Sequence, residues 1–310
     1  MRLRIRTLGF ACACACACAL ALLPAVAAAE PWTVERVPGA PATVGLYASG
    51  DELWLAGKSG VVHHRIRNVW RAEATPALVD LLAIAGHGAR EIWAVGQAGG
   101  VARWDGRRWD ALPGDTDRGL HAVTVPSART AAVLGTRLMT WNGRELASIA
   151  SRPKFTTLRA IVALGGRRAR FLAVGDAGEA LVVTGTGRQA PWTHEPTGVT
   201  GDLTAVVSCS GEAIAVGAVA VRRDRKGRWH PLPSPPAKVV AAVAQCGVRG
   251  VSTVVAIGGE ELFVLDVAAR VWRREPVMPG VPLLGIAVAG TRHGVVVVGA
   301  HGEVATRTGW

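Results

Sequence analysis

The sequence predicts an all-β protein, a seven-bladed β-propeller with four-stranded antiparallel blades, and three observations support this prediction. Short apolar runs that end in glycine recur at even spacing along the chain. Turn residues recur throughout, and no segment after residue 30 shows the 3.6-residue period of a helix. Each end of the chain supplies part of one repeat. A period of about 40 residues with four strands per repeat is typical of propeller blades.

The glycine-terminated run sets the period. Four apolar residues precede each glycine, as IWAV precedes Gly96 and FLAV precedes Gly175. Because the run is continuously apolar, both faces of this strand are expected to be buried, as in a blade packed between two neighbours. By subtraction of their positions, successive glycines lie 39 to 42 residues apart, and they are Gly57, Gly96, Gly135, Gly175, Gly217, Gly258 and Gly299.

The same alignment assigns the other strands of each blade. An apolar segment upstream of the glycine, such as LLAI from Leu81, is the predicted first strand. A third strand and a hairpin follow, and Asp105-Gly106 supplies the residues that a tight turn prefers. Tryptophans near the start of the fourth strands are expected to pack the outer part of each blade and to donate their indole N–H to a carbonyl group. They are Trp70, Trp109, Trp192, Trp229 and Trp272, with Trp32 in the N-terminal strand.

The N-terminal strand is expected to close the ring. The chain reaches Trp310 just after a third strand, whereas PWTVERVPG from Pro31 has the pattern of a fourth strand. Pairing the two would remove exposed edges and would make residues 30–310 one domain. The predicted blades span residues 42–76, 78–114, 118–153, 156–197, 201–235, 238–279 and 282–310 together with 31–38.

Residues 1–29 have the pattern of a secretory signal peptide. An apolar run follows the arginines at positions 2, 4 and 6, and Ala27 and Ala29 form an A-x-A cleavage motif. An uncleaved membrane anchor is the alternative, since about 20 apolar residues can span a bilayer. The run is rich in alanine and is interrupted by Pro24, which favours cleavage. We therefore predict a periplasmic or extracellular monomer that does not span the membrane.

The chain is strongly basic, with a formal charge of +12. Such a charge would attract anionic partners. However, the arginines are dispersed at turns, as at Arg107 and Arg108, without the interleaved aromatic side chains that bind single-stranded nucleic acid. Nucleic acid is therefore not the expected partner, and a solvated basic surface or a coding bias would explain the arginines.

The repeated pattern of A-V-G, a short strand, an Asp-Gly or Asn-Gly turn and a tryptophan resembles the photosystem II stability and assembly factor-like propellers and their BNR/Asp-box-like relatives. This resemblance extends over the chain after residue 30, and it implies an exported seven-bladed propeller that holds a partner protein during assembly. A complete Asp-box occurs in no blade. Asn142-Gly143 lacks its tryptophan, and blades 1, 4, 5 and 6 lack the Asp-Gly pair. The best copies of the pattern comprise Gly96, Gly99, Asp105, Gly106 and Trp109, and Gly175, Asp176 and Gly178.

The sequence favours a scaffold over an enzyme. A sialidase-like enzyme would need a tyrosine nucleophile, yet the single tyrosine, Tyr47, lies in the first segment of blade 1 and is expected to pack there. His63 and His64 are adjacent and would point to opposite faces of a strand, and the sequence contains no metal or cofactor motif. We predict a non-catalytic protein-binding or assembly scaffold without a cofactor. The alternative is a carbohydrate-binding or carbohydrate-active propeller, either a sialidase-like hydrolase or a lyase.

The predicted binding face comprises the loops that enter the first strands and the turns between second and third strands. These segments line one mouth of a propeller channel, and here they differ between repeats, as partner-binding loops do. The expected partner is a protein, with an anionic glycan as the alternative. The candidate residues are Lys58, Gln97, Asp115, Asp117, Asp176, Glu260 and His301.

Cys209 and Cys246 occupy the same position in adjacent repeats, at the ends of LTAVVSC and VAAVAQC. In an oxidising exported setting, these two residues are expected to form a disulfide. Two free buried thiols are the alternative. The other four cysteines lie within residues 1–29, which cleavage would remove.

Overall fold

A computed structural model of the protein describes residues 31–40, 45–113, 118–149, 158–247, 250–289 and 294–308. It confirms the predicted fold class, with seven four-stranded antiparallel sheets in one ring. The predicted signal peptide lies outside the described residues. Within the described ranges, no helix has the length and apolar character needed to cross a membrane.

The strands, in chain order, are β1 (Thr33–Arg36), β2 (Gly45–Ser49), β3 (Glu52–Ala56), β4 (Val61–Ile66), β5 (Val69–Ala74), β6 (Leu81–Gly86), β7 (Ile92–Gly96), β8 (Val101–Trp104), β9 (Trp109–Ala111), β10 (Leu120–Ser127), β11 (Thr130–Gly135), β12 (Leu138–Trp141), β13 (Leu146–Ser148), β14 (Leu158–Ala163), β15 (Arg170–Gly175), β16 (Ala180–Thr184), β17 (Trp192–His194), β18 (Leu203–Cys209), β19 (Glu212–Gly217), β20 (Ala220–Arg223), β21 (Trp229–Leu232), β22 (Ala241–Gly247), β23 (Gly250–Gly258), β24 (Glu261–Asp266), β25 (Val271–Glu275), β26 (Leu283–Ala289), β27 (Gly294–Gly299) and β28 (Glu303–Arg307). Blades 1 to 6 are β2–β5, β6–β9, β10–β13, β14–β17, β18–β21 and β22–β25. Blade 7 has the order β1-β28-β27-β26. Three one-turn 3-10 helices, Lys58–Gly60, Gln97–Gly99 and Asp176–Gly178, connect second to third strands.

The core lies between the blades. Seven clusters of buried apolar side chains each join two neighbouring sheets, so every blade packs against both of its neighbours. Between blades 2 and 3, for example, the rings of Trp93 and Trp141 meet edge to face with centroids 5.5 Å apart. This arrangement explains why the second strands are apolar on both faces.

Close backbone approach explains four of the seven periodic glycines, namely Gly96, Gly135, Gly217 and Gly258. Gly96 has an extended backbone, with φ −163°, that any residue could adopt. A Cβ atom at Gly96 would nevertheless lie 2.1 Å from the carbonyl oxygen of Asp80, and a Cβ at Gly135 would lie 2.3 Å from that of Gly119. In these four blades the second strand therefore ends in glycine because the segment entering the first strand lies against it.

The substitution Gly135→Ala is expected to destabilise the fold by about 3 kcal/mol, since the added methyl group forces the backbone apart in a packed sheet. Gly119→Ala is the matched control, because a Cβ there meets no atom within 4 Å. Chemical denaturation followed by tryptophan fluorescence measures both variants. Equal stability of the two variants would contradict this explanation of the repeat.

The N-terminal strand closes the ring as predicted. Strand β1 pairs antiparallel with β28, and Thr33 lies opposite Thr306. Val37, which is buried, donates its backbone N–H to the carbonyl of Gly302 at 2.9 Å. The two ends of the described chain thus form a single sheet.

Carboxylates link successive blades along the outer rim. Glu195 of blade 4 accepts two hydrogen bonds from Arg223 of blade 5, at 2.6 and 2.7 Å, and a third from the indole of Trp229 at 3.1 Å. Glu35 similarly binds Arg65 of the next blade at 2.6 Å. Two further links of this kind join Glu73 to Trp109 and Glu275 to Arg307.

These rim links correct the expectation that the indoles bond to carbonyl groups. Trp272 does donate to the carbonyl of Pro233 at 2.8 Å, but Trp109 and Trp229 donate to carboxylates. The pattern W-x-x-E carries the signal, because each of these glutamates lies three residues after a fourth-strand tryptophan. The four copies are Trp32 with Glu35, Trp70 with Glu73, Trp192 with Glu195, and Trp272 with Glu275.

A disulfide joins Cys209 of β18 to Cys246 of β22, with Cα atoms 5.6 Å apart. It connects blades 5 and 6 at the end of the sheets where first strands turn into second strands. Cys209 is buried and Cys246 is exposed. The bond adds a covalent link across one of the seven blade interfaces.

Candidate functional site

The central channel has a mouth, here called the top mouth, at the end where the first strands begin. A cavity of about 390 Å³ occupies the channel, and the first strands of all seven blades contribute to its lining. The turns between second and third strands lie at the same end. The opposite end of the ring, which carries the hairpins between third and fourth strands, is called the bottom face.

β-bulges place a ring of side chains in this cavity. In five blades the register of the first strand shifts immediately after its first residue, so that the second residue has no partner across the sheet. Bulges re-aim side chains and are common beside binding sites. All five bulged residues line the cavity, and they are Leu82, His121, Arg159, Thr204 and Leu284.

The bulged residues of blades 3 to 5 form a polar sector. The guanidinium of Arg159 donates two hydrogen bonds to the carboxylate of Asp176, at 2.8 and 2.9 Å, and these bonds lower the pKa of Asp176. The His121 Nε2 lies 2.9 Å from the carbonyl oxygen of Leu158, and burial lowers the pKa of His121. Thr204 donates its hydroxyl to the carbonyl of Val239. This side of the cavity is therefore rigid and hydrogen-bonded.

The remaining side of the top mouth is apolar. Leu284 of blade 7 and Leu82 of blade 2 line the cavity, and Val240, at the start of blade 6, is 50% exposed beside them. Leu78, in the loop that enters blade 2, is 76% exposed. Leu78 and Val240 are two of the five large apolar side chains that the described residues expose. The mouth thus presents an apolar surface next to a polar one.

Most of the candidate residues lie around this mouth. Lys58, Gln97 and Asp176 begin the three 3-10 turns. Glu260 lies in the turn between β23 and β24, and His301 lies in the turn between β27 and β28. Of these five residues, Asp176 is the one that accepts a hydrogen bond from a cavity-lining side chain, that of Arg159. Asp115 and Asp117 lie outside the described residues.

Two aspartates that precede first strands attach these turns to the next blade. Asp80 accepts the N–H of Ser59 at 3.0 Å, and Asp202 accepts the N–H of Ala177 at 3.2 Å. The Nζ of Lys238 lies 3.8 Å from Asp202. Sequence reasoning missed the role of Asp80, although an Asp-Leu pair opens the first strand in both blades.

A buried titratable cluster lies in blade 1, away from the mouth. The imidazole of His64 lies between Glu73, at 3.1 Å, and Glu52, at 2.9 Å, and stacks on Trp54. Burial opposes the charged imidazolium, but the hydrogen bonds and charges of Glu73 and Glu52 outweigh it, and they hold the pKa of His64 above its usual value of 6.5. Burial alone lowers the pKa of the neighbouring His63.

The opposite pKa shifts of His63 and His64 predict opposite pH dependences of their contributions to stability. A base whose folded-state pKa is raised stabilises the fold fully below its unfolded pKa, and this contribution is lost as the pH rises through the folded pKa. We therefore expect His64→Gln to lower the free energy of unfolding most near pH 6 and progressively less at higher pH. For His63→Gln the cost should grow as the pH rises. Denaturation at several pH values measures both, and parallel profiles would contradict the assignment.

Two catalytic arrangements, a tyrosine nucleophile and a metal centre, can be compared with the described residues. Burial raises the pKa of Tyr47, whose hydroxyl donates to the carbonyl of Gly88 at 3.3 Å, and this opposes the phenolate form of a nucleophile. In the described ranges, no group of three or more His, Cys, Asp or Glu side chains is arranged to hold a metal ion.

Comparisons with known proteins agree on the fold. No family description matches this sequence, and no curated protein matches it either. Among solved structures, a virginiamycin B lyase from Staphylococcus aureus is 13% identical with a TM-score of 0.72, covering 89% of this chain and 98% of the lyase. YCF48 bound to D1 peptide is 14% identical with a TM-score of 0.66, covering 90% and 97%. The WD40 β-propeller domain of Doa1 is 10% identical with a TM-score of 0.71, covering 90% and 96%. At such identities the likeness extends to the propeller fold alone.

Proposed function

We propose that this protein is an exported, non-catalytic scaffold that holds a partner protein at the top mouth. The observation that carries the proposal is the ring of bulged residues. The frame of the ring repeats from blade to blade, whereas the bulged side chains differ in size, polarity and charge. Variable side chains on a rigid repeated frame are typical of a recognition surface.

The chemistry of the mouth suits a polypeptide. Exposed Val240 and Leu78 offer apolar contact to a partner's side chains, and apolar surface of this kind marks interaction sites when polar groups surround it. Asp176 and Arg159 already satisfy each other's charge. A partner segment can therefore dock without burying an unpaired carboxylate at the mouth, which would be costly.

Two similarities support the same proposal. The repeat pattern resembles that of the photosystem II assembly factor-like propellers, for which partner binding is implied. The structure of YCF48, which has the same fold as this chain, is bound to a D1 peptide. Export is proposed from the pattern of residues 1–29.

A carbohydrate-active propeller is the second candidate. The fold that this chain shares with virginiamycin B lyase supports the lyase form of this alternative, but it does not indicate a carbohydrate substrate. A lyase would require a free general base in the cavity. The bidentate bond of Asp176 to Arg159 opposes that role because the lowered pKa makes the carboxylate a weak base and the guanidinium already occupies both of its oxygens.

Site-specific photo-crosslinking in intact cells tests the proposal. Probes at Gln97 and Glu260 report on the top mouth, and matched probes at Arg67 and Arg144 report on the bottom face. We expect one dominant protein adduct from the top positions and none from the bottom ones. Equal adducts from both faces, or retention on envelope polysaccharide without a protein adduct, would overturn the proposed function.

A further inference from the structure

A groove crosses the bottom face between blades 5 and 6, away from the top mouth. It consists of two adjoining cavities of about 530 and 560 Å³. The cavities share Arg222, Val267 and Ala268, so they form one continuous depression. This surface is called the blade 5–6 groove below.

The groove has a rigid wall on its blade 6 side. Strand β23 is the longest of the described strands, with nine residues, and its first residues extend the sheet along the bottom face. The hydroxyl of Ser252 donates to the carbonyl of Gln245 at 3.1 Å, which ties β23 to β22. The Cys209–Cys246 disulfide joins the same two blades. The separation of the groove walls is therefore fixed before any ligand binds.

The acidic residues along the groove already accept hydrogen bonds from backbone and side-chain groups of the protein. Asp224 accepts the N–H groups of Lys226 and Arg228, each at 2.9 Å, and these bonds hold the pKa of Asp224 far below its usual value. Asp266 caps the next hairpin in the same way. Glu212 binds Arg222 and also the N–H of Val251 of blade 6. These carboxylates stabilise turns and strands, and the donors around them offset part of the negative charge that an anionic ligand would meet.

By contrast, three basic residues at the groove can pair with an anionic ligand. The segment from Arg222 to Arg228 reads RRDRKGR, and Arg225 and Lys226 are exposed. Arg270 lines the groove and donates to the carbonyl of Pro231 at 3.1 Å. Among the described residues, no carboxylate lies within ion-pair distance of Arg225, Lys226 or Arg270. Of the two arginines among the described lining residues, Arg222 pairs with Glu212 and Arg270 has no carboxylate partner, while Arg225 and Lys226 add positive charge in the hairpin that borders the groove.

We propose that the blade 5–6 groove binds a linear anionic polysaccharide, a chain of sugar rings that carries carboxylate or sulfate groups. Guanidinium groups pair well with both anions. The floor of the groove includes the aliphatic side chains of Leu232 and Val267, which suit the C–H face of a sugar ring. Two adjoining cavities accommodate successive rings of one chain.

The same features disfavour other polyanions. Single-stranded nucleic acid binding normally uses exposed aromatic side chains on which bases stack. The nearby indoles of Trp229 and Trp272 are half-buried and bonded to Glu195 and Pro233. A membrane surface would contact a projecting apolar face, whereas the basic residues here border a depression. These ligands are alternative outcomes of the test.

Binding to polygalacturonate and to heparin tests the proposal, with neutral dextran as the uncharged comparison. The first two probes separate carboxylate from sulfate recognition. The variant R225Q/K226Q/R270Q removes three charges beside the groove. The control R67Q/R107Q/R144Q removes three exposed arginines from the equivalent hairpins of blades 1 to 3, on the same face, so both variants have the same net charge.

We expect the groove variant to bind at least one anionic polysaccharide about tenfold more weakly than the wild type, while the control stays within about twofold. Binding should weaken as salt rises, because screening shortens the range of the charges from about 30 Å at 0.01 M to about 8 Å at 0.15 M. Equal losses in both variants, binding of dextran alone, or tighter binding of DNA or anionic vesicles would overturn the proposal. The crosslinks at the top mouth serve as an independent readout, since they test the proposed function and not the groove.

Discussion

The substitution Arg223→Ala is expected to lower the free energy of unfolding by about 3 to 5 kcal/mol, which is the usual cost of removing one partner from a buried ion pair. The Arg223 side chain is 2% exposed and that of Glu195 is 19% exposed. Without the guanidinium, the Trp229 indole is the one side-chain donor that the described part of the chain leaves to the Glu195 carboxylate. The largest part of the cost is therefore the carboxylate left at the interface of blades 4 and 5.

The matched control for Arg223→Ala is Arg228→Ala in the adjoining hairpin. The Arg228 side chain is 67% exposed and pairs with Asp224, so its loss should cost at most about 1 kcal/mol. Urea unfolding followed by tryptophan fluorescence compares the two variants. The double variant E195L/R223M should recover much of the lost stability, because it leaves no unpaired charge. A similar small cost for both single variants would show that the rim links contribute little.

Removal of the N-terminal strand is expected to cost roughly 5 kcal/mol, from the burial of Val37 and the loss of the β1–β28 hydrogen bonds. The change is a chain that begins at Gly39 after its export signal. Strand β28 would then become an exposed edge, which invites aggregation. We expect a lower thermal midpoint, measured by circular dichroism, together with concentration-dependent aggregation.

A peptide of residues 31–38 added to this truncated chain is expected to restore the midpoint. Val34→Ser in the full chain is the control, since Val34 is 52% exposed in the same strand and its loss leaves the pairing intact. Unchanged stability after truncation would mean that the ring does not depend on its closing strand.

Sequence periodicity predicted the arrangement of strands in this molecule because every blade packs between two neighbours in the same way. In four blades the periodic glycine marks the place where the second strand approaches the backbone in front of its own first strand. The disulfide could be predicted for the same reason, because equivalent positions in adjacent blades, such as Cys209 and Cys246, are close in space. Ring closure followed from the match between the Pro31 segment and the fourth strands.

Contacts made between blades by single residues were harder to predict. Glu195 and Arg223 are separated by 28 positions, and only the fold shows that they meet. The bulge at Arg159 shifts the register by one residue, and such a shift cannot be predicted from the pattern of apolar residues. The Asp-Gly pattern also missed the caps made by Asp224 and Asp266, because these turns keep the carboxylate without the following glycine.

The most direct test of the central claim is the yield of the Gln97 crosslink in a variant with both bulged leucines replaced, L82D/L284D. Both side chains line the cavity without being fully buried, so the fold should persist, and a thermal melt checks this. If the bulged ring binds the partner, the protein adduct at Gln97 should be lost in this variant and retained in the groove variant R225Q/K226Q/R270Q. An undiminished adduct in a folded L82D/L284D protein would contradict the account.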